Sequence, residues 1–173
     1  MQSQAQQTGE ETTAEVSNVI QIQEVVGSDV AASNYFNNAA GEADSVNGEI
    51  NLLNVSVRLA SGSDPINVSQ ASYTISSPSG SATVVNGNNN ANTAIQHTGL
   101  QSLDGSTDDE SVLKEQEDLL LVQIDLANQS GIEPLDESES VKLVAQAPAG
   151  GQTFKELKTP RNIEDGNAES FIL

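Results

Sequence analysis

The sequence predicts a mainly β protein, an antiparallel β-sandwich of Ig-like or jelly-roll kind with a short helical remnant or tail at its N-terminus. Three observations lead there. Leu53, Val55, Val57 and Leu59 alternate strictly with Asn54, Ser56 and Arg58, the period of a strand with one face buried and one wet. Seven to nine short strand candidates are separated by clusters of Gly, Asn, Ser, Asp and Pro, the residues turns prefer. The 173 residues show no internal repeat and suit one domain with a core of its own.

Taken in order, Gln2 to Gln7 has no apolar face beyond Ala5 and is interrupted at Gly9, so no isolated helix holds there. Val16 to Val26 reads as the first strand, with only partial alternation. Gly27 to Gly48 reads as a long connection anchored by Tyr35 and Phe36, with a subunit contact as the alternative use of those rings. Gly48 to Ser76 is read as two strands and the Ser61 to Pro65 turn between them, making a hairpin or a sheet-to-sheet corner. Ala82 to Val85 and Thr93 to His97 are short strand candidates, and Asn86-Gly87 is a hairpin signal. Leu119 to Leu126 is apolar on both faces, which places it centrally in a sheet. Val141 to Ala147 and Thr153 to Leu157 form a hairpin across Pro148 to Gly151, and Pro160 ends the pairing. Phe171-Ile172-Leu173 is expected in a sheet or groove.

Composition limits the partners. Six Lys and Arg against 25 Asp and Glu give a formal net charge of −19, which opposes binding to nucleic acid or an anionic membrane. With 36% apolar residues, five aromatics and no Trp, the core must come from Val, Ile, Leu and Ala. A surface so acidic and so poor in lysine is best suited to molar salt, where the Debye length is about 3 Å, and a salt-loving source is the expectation. There is no cysteine, hence no disulfide or thiolate site. No apolar run approaches the roughly 20 residues that span a bilayer, and no signal peptide follows Met1.

Little catalytic chemistry can be assembled. His97 is the sole histidine, so neither a metal set nor a His-carboxylate-nucleophile arrangement forms around it, and it reads as an ordinary strand or loop residue. No cofactor is expected. Asp104, Asp108, Asp109 and Glu110 could gather oxygen ligands for Ca²⁺ or Mg²⁺, but they match no EF-hand spacing and read first as a solvated acidic loop. Three Asn-X-Ser tripeptides, at Asn54, Asn67 and Asn128, are acceptors for N-linked glycan; chance alone yields one or two in a chain this rich in Asn and Ser. Asn54 stands out because it faces solvent in the alternation.

The segment INLLNVSVRLASGSDPINVSQASYTI resembles the archaeal flagellins (archaellins), in which an apolar strand ends in a similar V-R-x-A-x-G-x-D-x-I-N run. The opening SQAQQTGEETTAEVSNVIQI is similar to the place where the archaellin N-terminal helix yields to the outer β-domain. The closing GQTFKELKTPRNIEDGNAESFIL is similar to the last archaellin strands. Residues 77–111 carry no match. The resemblance implies residues 1–15 as the remnant of a filament-core helix and its linker, and 16–173 as an outer β-sandwich. It also implies an apolar helix upstream of Gln2, with Met1 an artificial start.

The function implied is that of a non-enzymatic structural subunit of the archaeal flagellum (archaellum) filament, extracellular, polymerising with itself or other archaellins for swimming. An accessory archaellum or pilin-like β-sandwich protein that binds the S-layer or a surface is the alternative. A carbohydrate-binding or hydrolytic module is disfavoured by the few aromatics.

Overall fold

In the computed structural model the described residues are 18–30, 46–76, 78, 80, 82–88, 95–102, 111–127, 131–164 and 169–173. They carry eleven strands: β1 (Ile20–Asp29), β2 (Leu52–Leu59), β3 (Ile66–Asn67), β4 (Ser72–Ser76), β5 (Ala82–Asn86), β6 (Ile95–Gln101), β7 (Val112–Leu113), β8 (Leu119–Asp125), β9 (Ser140–Gln146), β10 (Gln152–Lys158) and β11 (Glu169–Ile172). One sheet has the order β11-β1-β2-β8-β6 and the second β10-β9-β4-β5, while β3 and β7 form a separate two-stranded pair. Every pairing is antiparallel. The chain is thus a two-sheet sandwich, as the alternation predicts.

The core is filled from both sheets. Val55, Val57, Val122, Ile124 and Ile95 enter from the five-stranded sheet, and Tyr73, Ile75, Val85, Leu143 and Leu157 enter from the four-stranded one. β8 lies between β2 and β6, in the central position its two apolar faces predict.

The partial alternation of β1 has a physical cause. Ile20 and Ile22 pair with Leu59 and Val57, but the register then shifts between Ile22 and Glu24, so that Val25 rather than Glu24 falls opposite Val55. This bulge adds a residue and returns the apolar positions to the core side. The Ser56 hydroxyl serves the loosened backbone, accepting from Glu24 N at 3.0 Å and donating to Glu24 O at 3.1 Å. The strand also starts later than Val16 and continues through Asp29, into what reads in sequence as a connection.

Two further readings are corrected. Ile66 to Ser76 is not one strand, because Val68–Gln70 forms a 3-10 turn capped by Asn67, and the chain passes from the five-stranded to the four-stranded sheet there. Of the two alternatives, it is the corner. Asn86-Gly87 is not a hairpin turn either, since β5 pairs back onto β4 and β6 belongs to the other sheet. Gly87 is required for a different reason. Its N–H donates to Ala71 O at 2.8 Å, and a Cβ there would collide with the carbonyls of Val68 and Ala71.

The β9–β10 hairpin forms as the Pro148 to Gly151 signal predicts, closed by Ala147 N to Gly151 O at 2.8 Å, with Gly150 at φ 98°. Phe171 and Leu173 pack partly against the core from the β11 edge. Tyr35 and Phe36 lie outside the described residues.

Candidate functional site

His97 is sealed in the sandwich. It sits on β6 opposite Val122, is 2% exposed, and neither ring nitrogen has a hydrogen-bond partner among the described residues. Burial lowers its pKa to about 4, so the imidazole is neutral near pH 7. It can neither reach a substrate nor bind a surface ion. Tyr73, fully buried, likewise has a hydroxyl without a partner among the described residues, and burial raises its pKa.

Several carboxylates serve the backbone. Asp118 Oδ2 accepts from Lys114 N and Glu115 N at 2.8 and 3.0 Å, Asp29 Oδ2 from Gly48 N at 2.8 Å, Asp125 Oδ1 from Ala127 N at 3.0 Å, and Glu137 Oε1 from Ile163 N at 2.8 Å. Each fixes a turn or the end of a strand. Among the described residues no group of three or more His, Asp or Glu could hold a metal ion. The Asp104 to Glu110 stretch lies outside the described residues.

The two described glycan acceptors differ in setting. Asn54 projects from the middle of β2 on the outer face of the five-stranded sheet, half-buried between neighbouring strands. Its Oδ1 accepts from Gln123 Nε2 at 2.9 Å, and its Nδ2 donates to Ser28 Oγ at 3.5 Å. Asn67 sits at the corner instead. Its Oδ1 accepts from both Ser69 N at 2.9 Å and Ser69 Oγ at 2.6 Å, leaving Nδ2 as the group not engaged in that turn. Asn128 lies outside the described residues.

Sequence reasoning passed over an outward feature of the four-stranded sheet. Phe154 is 68% exposed and carries the Lys142 ammonium 4.6 Å from its ring centroid. They border an open depression of about 370 Å³ lined also by Ser76, Ser140, Val141 and Glu156. The signal was present in the alternation of Ser140–Gln146, whose buried set Val141, Leu143 and Ala145 turns Lys142 and Val144 outward.

The described residues thus form an antiparallel two-sheet sandwich that keeps the sole histidine inside and uses carboxylates to tie down turns. The chain belongs to the archaeal-type flagellins, whose family model matches residues 1–155. It is 28% identical over 170 residues to flagellin B3 of Halobacterium salinarum, covering 97% of this chain and 77% of that one. It is 28% identical over 177 residues to flagellin B1 of Natrialba magadii, covering 95% and 77%. Its fold is shared with the archaeal flagellum of Methanospirillum hungatei (TM-score 0.58, 12% identity, 94% of this chain and 81% of that one). Flagellin FlaB1 of Methanocaldococcus jannaschii is similar to a like degree (TM-score 0.57, 16% identity, 84% and 95%).

Proposed function

We propose that this chain is a structural subunit of the archaeal flagellum filament, extracellular and polymerising with copies of itself or with other flagellins into the helical filament that drives swimming. The observation that carries this is the family match across residues 1–155, joined to a two-sheet sandwich of the flagellin fold. Identical subunits repeated by a non-closing operation give an open helix rather than a ring. The role is mechanical and needs no catalysis. The division that the resemblance implies, with 1–15 as helix remnant and linker and 16–173 as outer domain, belongs to the same reading; residues 1–15 lie outside the described residues.

N-linked glycan belongs to the same proposal, and Asn67 is the acceptor best prepared for it. The serine hydroxyl that the tripeptide requires already bonds the Asn67 carboxamide oxygen, and the nitrogen is not engaged in that turn. At Asn54 both ends of the carboxamide are engaged by side chains of adjacent strands. The −19 charge supports a saline medium and opposes nucleic acid or anionic membrane as partners.

Peptide mass spectrometry on filaments sheared from the native cells tests the proposal. The expected result is abundant peptides of this chain, with added mass on the Asn67 peptide. Filaments that lack the chain would overturn the subunit reading, and an unmodified Asn67 peptide would overturn the glycan reading alone.

A further inference from the structure

Four outward residues line up across the whole four-stranded sheet. The registers place Phe154 beside Val144, Val144 beside Thr74, and Thr74 beside Val84, one residue from each strand. Phe154 is 68% and Val84 56% exposed, so both ends of the row are unprotected apolar surface. On either side the rows are Gln152, Gln146, Ser72 and Asn86, and Glu156, Lys142, Ser76 and Ala82. This outer face therefore carries an apolar stripe with a single carboxylate beside it.

Charge is distributed to match. Lys142 and Lys158 project from this face against Glu156 alone, a net +1, while the remaining four cations and 24 anions give −20 elsewhere. A face with two lysines to one carboxylate, on so acidic a chain, is complementary to the rest of another copy of that chain. We infer that the outer face of β10-β9-β4-β5, centred on Phe154 and Lys142, is a subunit–subunit contact that receives a carboxylate-bearing loop of a second copy. The inference rests on the filament reading above.

The size of the face says how such a contact works. Four strands about 4.8 Å apart and five residues at about 3.3 Å each cover roughly 300 Å². A stable pairwise interface buries about 800 Å² on each partner, so this face does not hold a dimer by itself. It contributes inside a polymer, where other contacts already bring the copies together. In molar salt, with a Debye length of about 3 Å, the lysines act only at contact range and select the partner, while the Phe154 stripe is not screened. The face is also clear of the described acceptors: Asn54 lies on the other sheet and Asn67 on the two-stranded pair.

The absence of cysteine makes the test direct. Phe154→Cys in the full chain gives a sole thiol, whose alkylation by a maleimide is timed in assembled filaments and in subunits released from them. Burial at the core of a contact slows the filament reaction by about tenfold or more. Val84→Cys, at the other end of the stripe, serves if Phe154→Cys is not incorporated. Equal rates in filament and free subunit for the incorporated variant would overturn the contact while leaving the filament reading intact. Native filaments without this chain would overturn both.

Discussion

His97 contributes a pH dependence to the stability of the fold. In the folded chain its pKa lies at about 4, against about 6.5 for an unhindered histidine, because burial withdraws the charged ring from water. Between those two values the unfolded chain binds a proton that the folded chain refuses, so stability falls as pH falls through the window and is fully present above it. The linkage integral gives a loss of about 2 kcal/mol near pH 5 relative to pH 7. His97→Leu, close in volume, removes the window. It also removes two ring nitrogens without a partner among the described residues, a further gain of about 1 kcal/mol or more at pH 7.

The assay is denaturant unfolding of wild type and His97→Leu at both pH values in constant salt. Carboxylate titration is common to the two proteins and cancels in the difference. The variant is expected to be the more stable at pH 7, with its advantage widening by about 2 kcal/mol near pH 5. An advantage equal at the two pH values would refute the reasoning, since it would mean that the folded ring accepts its proton as readily as the unfolded one.

Other consequences are equally specific. Tyr73→Phe deletes a buried hydroxyl without a described partner and should raise stability by about 1 kcal/mol in the same unfolding assay, whereas a loss would reveal a hidden partner. Gly87→Ala drives a methyl into the Val68 and Ala71 carbonyls and should cost about 3 kcal/mol or more, read as a lower midpoint at unchanged slope. Ser69→Ala removes the hydroxyl bonded to Asn67 and should abolish added mass on the Asn67 peptide in native filaments, without changing the fold by circular dichroism. The melting temperature should rise from dilute buffer to molar salt as the −19 charge is screened; a flat response would argue against a halophilic design.

Elements whose burial is one-sided were legible in the sequence, and those set by long-range partners were not. β2 and the β9–β10 hairpin follow from alternation and a Pro-Gly turn, both local facts. Gly87 shows the opposite case. Asn-Gly favours a tight turn, but β5 had already found its partner in β4, and the glycine is needed where the chain passes beneath the Val68 to Ala71 corner. Likewise the bulge in β1 is invisible to a period-two reading, because it exists to correct that period. The exposed Phe154 was passed over because a single aromatic in a charged stretch carries no pattern. Only the register with Val144, Thr74 and Val84 makes a surface of it.

The placement of charge ties the fold to its polymer. Of the described carboxylates, only Glu24, Asp29, Asp125, Glu156 and Glu169 lie on strands, and Asp29 and Asp125 are buried at strand ends. The others stand in turns at the rims. Repulsion between like-charged copies is thereby concentrated on loops, where water and salt screen it, and the flat sheet faces are left nearly neutral. A subunit so built can present a sheet face to a neighbour without burying an unpaired carboxylate, which costs far more than an exposed one. The face offered to a neighbour is in this way kept almost free of like charge, so that a carboxylate arriving on the partner's loop meets Lys142 and Lys158 with Glu156 as the one acid beside them.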